Sequence, residues 1–102
     1  MIPGVEQHGS IALVQFEFGH VPEKLNLPSG RVVVVVDGME HAGFDYEAFK
    51  AERVAFLAQN SLGPDTEVTF VPVSTKLGDM IVQRGNHIDW YEGPTLAEAL
   101  GA

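Results

Sequence analysis

Residues 31–36 read Arg-Val-Val-Val-Val-Val, and Asp37-Gly38 follows at once. A continuous β-branched run of this kind suits a central strand covered on both faces, as in a parallel sheet flanked by helices. Asp37-Gly38 breaks it. Beyond the break, Asp45 is placed as the N-cap of a helix running from Tyr46 to about Asn60. The helix has an apolar stripe of Tyr46, Phe49, Phe56 and Leu57, with Arg53 the one polar interruption at that spacing. Glu47, Lys50, Glu52 and Gln59 lie elsewhere and read as solvated. Ser61-Leu62-Gly63-Pro64 stops the helix. Glu67 to Val73 forms the next strand. Residues 77–93 are irregular, with a short turn of strand expected at Met80-Ile81-Val82. Pro94, in a first helical turn with Thr95 near it, opens a short final helix ending at Gly101. From residue 31 the order is strand, helix, strand, helix, an α/β unit with a right-handed parallel crossover.

On the amino-terminal side, Ile11 to Phe18 ends in strict alternation. Val14, Phe16 and Phe18 fall on one side, Gln15 and Glu17 on the other, which predicts a half-buried strand. His20 to Gly30 holds two prolines and ends in Pro-Ser-Gly, so it reads as a loop. The Val run then poses a packing question, because one long helix and one short one must cover two faces. Either the first strand and its loop supply the cover, or a second chain does. A small open sheet also leaves an unpaired edge, so the expectation is a homo-oligomer.

The chain has 102 residues, enough for one domain with a modest core. Hydrophobic residues make up 45% and cysteine is absent, which argues against disorder and excludes disulfide or thiolate chemistry. The segment Met1 to Ser10 lacks the basic and apolar regions of a signal peptide. No apolar run, Val32 to Val36 included, approaches membrane-spanning length. A cytoplasmic protein is expected. Six Lys and Arg against fourteen Asp and Glu give a formal charge of −8, which disfavours nucleic-acid phosphates.

Residues 68–100 read VTFVPVSTKLGDMIVQRGNHIDWYEGPTLAEAL. This stretch resembles the closing segment of the GTP-binding domain of translation-elongation-factor-type GTPases, in particular the GTPase subunit of sulfate adenylyltransferase. There a strand ending in Val-Pro-Val-Ser-Ala later meets Trp-Tyr-x-Gly-Pro-Thr-Leu. The resemblance implies an α/β fold: a truncated, P-loop-GTPase-like three-layer fragment with a small, mostly parallel sheet and helices packed on it. Residues 1–30 would be a divergent strand and loop, and residues 31–100 the GTPase-like part.

The resemblance also implies a nucleotide site. The family reads guanine with Asn-Lys-x-Asp, and the matching position here is Asp37-Gly38-Met39-Glu40. The family's second base-reading element, a turn whose backbone amide meets the guanine carbonyl, falls on Ser74-Thr75-Lys76. Asp37, Glu40, Ser74 and Thr75 are thus the candidate nucleotide-binding residues. From the residues alone, Asp37-Gly38 is equally a tight turn, and Ser74 a turn residue bonding its own backbone. No Gly-x-x-x-x-Gly-Lys-Ser/Thr occurs in the chain, so nothing in it matches the phosphate loop. Pro3 to His8 resembles the family's switch sequence, which would place the metal-linked Asp at Met1 and the catalytic His at Val5. Gly4-Val5-Glu6-Gln7 equally resembles a run that opens a helix in the family.

His8, His20, His41 and His87 form no close-spaced metal pair; His41 with Glu40 and Asp45 is the nearest to one. Asp89-Trp90-Tyr91-Glu92 sets two carboxylates beside two aromatics, a pattern that can line a sugar site. In the resembled family Asp79 and the pair Trp90-Tyr91 are structural anchors of the final helix. These readings predict a non-catalytic, acidic protein-interaction module that self-associates or binds a protein partner and has no cofactor. Weak binding of GTP or GDP is the alternative, and a dimer-interface enzyme site built on His41, His87, Asp89 and Glu92 is a third.

Overall fold

The computed structural model describes residues 5–25, 27 and 29–101. Glu6–His8 form β1, Ile11–Glu17 β2, Gly30–Asp37 β3 and Thr66–Pro72 β4. These four strands make one sheet in the order β1-β2-β3-β4. β2, β3 and β4 run parallel, while β1 returns antiparallel on β2. Helix α1 spans Tyr46–Gln59 and helix α2 spans Leu96–Ala99, with a 3-10 turn at Met39–Ala42. The expected α/β architecture with a mostly parallel sheet is present, and each long element lies within two residues of its predicted bounds.

Strand register fixes the two faces. Val14, Val34 and Phe70 lie side by side, as do Phe16 and Val36. Phe56 of α1 stacks on Phe16 at 6.1 Å and meets Phe70 edge-on at 5.7 Å. Helix α1 therefore covers the face bearing Val14, Phe16, Val34 and Phe70. Val33 and Val35 point to the other face and are 2% and 0% exposed within the single chain. The Val run is thus covered on both faces by its own chain and does not by itself call for a second copy. Met80, Ile88 and Ala99 belong to the same buried cluster, with Ile81, Leu96 and Leu100 packed against it.

Among the described residues, the parallel connection from β2 to β3 contains no helix. Val21, Leu25 and Leu27 of this connection pack on the core. Asn60, just past α1 and 2% exposed, holds that segment. Its Oδ1 accepts from Leu25 N at 2.7 Å, and its Nδ2 donates to Pro22 O at 3.0 Å and Phe56 O at 3.1 Å. Glu52, read as solvated, instead accepts from Gly19 N. On the predicted apolar stripe, Phe49 and Phe56 are buried, but Tyr46 and Leu57 remain 43% and 44% exposed.

Three local expectations are corrected. Met80-Ile81-Val82 is not a strand: Met80 sits in the left-handed region at φ 63° within a turn. The final helix begins after Thr95, whose side chain accepts from Glu98 N while Thr95 N donates back to Glu98, so Pro94 precedes the cap rather than standing in the first turn. Glu6-Gln7-His8 form a strand and therefore open no helix. The competing switch-sequence alignment rests partly on Met1 and Pro3, outside the described residues.

Candidate functional site

The carboxyl ends of β2, β3 and β4 converge on the four residues singled out from the sequence. Asp37 closes β3 and is 5% exposed; Ser74 follows β4 and is fully buried. Asp37 Oδ1 accepts from Gly38 N at 2.7 Å and Thr75 N at 3.0 Å. Its Oδ2 accepts from Thr75 Oγ1 at 2.8 Å and Gln15 Nε2 at 3.5 Å. A carboxylate has about four acceptor positions, and all are used inside the chain. The Thr75 amide, which the resemblance assigned to a base carbonyl, is spent on Asp37.

Glu40 and Ser74 form the second half of the cluster. Ser74 Oγ donates to Glu40 Oε1 at 2.6 Å and accepts from Leu77 N at 3.3 Å. That hydroxyl, followed by Glu40's own backbone N–H, holds the Glu40 carboxyl below the usual 4.5. Glu40 Oε2 has only His41 Nε2 beside it, at 3.4 Å, so this oxygen alone keeps free acceptor capacity. Gly38 is left-handed at φ 78°, and a Cβ there would overlap the Glu17 carboxylate. The place where the family carries its packing Lys is thus closed to a side chain unless Glu17 moves.

Several contacts near the site carry no pattern that sequence reading detects. Asp79, 4% exposed, meets His87 Nδ1 through Oδ2 at 2.7 Å. The His87 ring stacks on Phe44 at 4.6 Å, and Phe44 O accepts from Trp90 Nε1 at 2.7 Å. Trp90 also packs on Tyr46 and Phe49 of α1. The Asp79 and Trp90 anchors therefore tie the long turn to residues 44–49. The final helix is held separately, through Leu96 N to Met80 O at 2.8 Å and Ala97 N to Ile81 O at 2.9 Å. His87 pairs with Asp79, not with Asp89 or Glu92, so the dimer-interface set is not assembled within one chain. No cluster of three metal-ligating side chains forms among the described residues. No helix among them is long and apolar enough to cross a membrane.

No protein-family model matches the chain. It is 37% identical over 70 residues to sulfate adenylyltransferase subunit 1 of Sodalis glossinidius, covering 68% of this chain and 15% of that protein. It is 31% identical over 111 residues to elongation factor 1-alpha of Methanopyrus kandleri, covering 98% of this chain and 26% of that protein. Elongation factor 1-alpha of Entamoeba histolytica is 37% identical over 65 residues, 64% of this chain and 14% of its own length. The chain thus spans between 14% and 26% of the relatives it matches. The resemblance read from residues 68–100 holds: the chain is related in sequence to a segment of the translation-elongation-factor-type GTPases and of sulfate adenylyltransferase subunit 1.

Proposed function

We propose that this chain is a non-catalytic, cytoplasmic relative of a GTP-binding domain that acts as a small acidic protein-interaction module. One observation carries the reading: the Thr75 amide is spent on Asp37, whose carboxylate is filled by Thr75, Gly38 and Gln15, and the Ser74 hydroxyl is spent on Glu40 and Leu77. A base entering the site would have to displace charge-assisted hydrogen bonds, each contributing roughly 1.5–3 kcal/mol. The gain would offset the loss only if phosphate contacts added to it, and these 102 residues contain no phosphate loop. Phosphoryl transfer needs those contacts and a held metal ion.

The interaction role rests on the net charge of −8 and on apolar side chains left at the surface, Leu77 and Val82 on the turn, Val54 and Leu57 on α1. A basic, partly apolar protein surface or a second copy of this chain fits that combination. Light scattering at high concentration decides between them, since a monomer removes the second copy. GTP hydrolysis by the purified protein, abolished by Glu40→Ala, would overturn the proposal.

A second reading is weak guanine-nucleotide binding, favoured by the free Glu40 Oε2. Calorimetry with GDP and GTP tests it. Heat at millimolar nucleotide, lost in Glu40→Gln, supports this reading over the first, and no heat dismisses it.

A further inference from the structure

Arg53 interrupts the apolar stripe of α1 at a position where the helix period calls for a hydrophobic residue. Its guanidinium lies over the rings of Phe49 and Phe70, at 6.0 Å and 5.6 Å from their centres. Among the described residues, every carboxylate pair at ion-pair distance involves a histidine, and Arg53 makes none. In a chain with fourteen acids and six Lys and Arg, a cation without a carboxylate on a helix face of this kind calls for an explanation.

Beside it opens a pocket of about 270 Å³, lined by Tyr46, Phe49, Arg53, Phe70, Trp90 and Tyr91. Ligand pockets run from about 300 to 1,000 Å³, so this one suits a single ring rather than a nucleotide. Aromatic walls favour a planar apolar group, and the Arg fork matches one carboxylate in two-point fashion. Glu92 also lines the pocket; its carboxylate offsets part of the Arg53 charge and disfavours a second anionic group.

We propose that this pocket binds a planar ring carrying one carboxylate, ring among the aromatics and carboxylate on Arg53. The pocket shares no residue with the Asp37–Thr75 cluster, so the proposal stands apart from the function proposed above. The carboxylate can belong to a small aromatic acid or to a peptide ending in phenylalanine.

Trp90 is the only tryptophan and lines the pocket, so its emission reports occupancy. The probes are 3-phenylpropanoate, the neutral 3-phenylpropanamide, and Gly-Gly-Phe with a free or amidated end. The acids should shift Trp90 emission saturably at millimolar concentration. The amides should bind at least about tenfold more weakly, as loss of a charge-assisted contact requires. In Arg53→Gln the gap between acid and amide should close, while Glu92→Gln should bind the acids more tightly. Tighter binding of free Gly-Gly-Phe than of 3-phenylpropanoate points to a chain end, and the reverse order to a small acid; either order upholds the pocket. Equal binding of acid and amide, or no response to any probe at tens of millimolar, would overturn the proposal and leave Arg53 as a cover for two rings. Circular dichroism of each variant establishes that it is folded.

Discussion

Asp37 holds Thr75 through both carboxylate oxygens, accepting the Thr75 amide at 3.0 Å and its hydroxyl at 2.8 Å. This strap joins the end of β3 to the turn after β4 and fixes the mouth of the parallel sheet. Asp37→Asn keeps the shape but removes the charge and sets an NH2 where one carboxylate oxygen accepts from the Thr75 hydroxyl and Gln15. We expect a loss of about 2–4 kcal/mol in urea denaturation, the range for breaking charge-assisted bonds and leaving donors unmet. Thr75→Val removes one hydroxyl and should cost about 0.5–1.5 kcal/mol. If the strap is real, the two losses are less than additive, because residues in one network couple. Full additivity, with unchanged hydrogen exchange at the Thr75 amide, would refute it.

The Glu40–Ser74 bond predicts a pH dependence with a definite sign. Folding lowers the Glu40 carboxyl below 4.5, chiefly through the Ser74 hydroxyl. A depressed acid contributes stability above its ordinary pKa and loses it as pH falls through the folded value. The contribution should therefore be complete at pH 6 and decline below about 4.5. In Ser74→Ala the Glu40 titration, followed by NMR of the side-chain carboxyl, should move up toward the ordinary carboxylate range. An unmoved titration would show that Ser74 is not the cause.

Asn60 supplies the third prediction. Its side chain meets three backbone groups from two segments while almost fully buried. Asn60→Ala leaves Leu25 N and Pro22 O without those partners and should cost about 2–4 kcal/mol. The amide hydrogens of residues 18–25 should then exchange faster than those of the strands. Uniform loss of protection across the sheet would mean that Asn60 stabilises the whole fold and not this loop.

The fold was legible where local chemistry repeats over several residues. Val32 to Val36 reads as a covered strand because each residue has the same requirement, and Asp45 marks the start of α1 by a cap that the structure contains, with Oδ1 accepting from Glu47 N at 3.1 Å. It was not legible where one long-range bond decides. β1 is three exposed residues, Glu6-Gln7-His8, held by register with β2 rather than by their own pattern. In the β2–β3 crossover, Asn60 satisfies Leu25 N and Pro22 O from a position more than thirty residues away. Met80 to Val82 alternates too little to distinguish strand from turn, and the left-handed backbone of Met80, at φ 63°, settles it as turn. At the site, the resemblance brought Asp37, Glu40, Ser74 and Thr75 together. How they pair, Thr75 on Asp37 and Ser74 on Glu40, depends on which donor faces which carboxylate oxygen, and residue type does not encode that.

Tyr91 carries the last prediction. Its hydroxyl is buried without a hydrogen-bond partner among the described residues, and burial pushes its pKa up to about 12. Removing an unmet buried hydroxyl relieves its desolvation penalty, so Tyr91→Phe should be neutral or stabilising by up to about 1 kcal/mol. The sign with pH is opposite to that of Glu40. Because folding keeps this phenol protonated, stability is unaffected by it below the ordinary pKa of 10.0 and falls as pH rises toward about 12. Thermal melts from pH 9 upward should therefore show a steeper alkaline decline for the parent chain than for Tyr91→Phe. Gly93 abuts the same hydroxyl, and a Cβ there would overlap the Tyr91 oxygen and ring. Gly93→Ala should cost about 1–3 kcal/mol through overpacking, and less in the Tyr91→Phe background because one overlapping atom is gone. A Tyr91→Phe variant that loses more than about 1 kcal/mol would reveal a partner for the hydroxyl, most simply an ordered water.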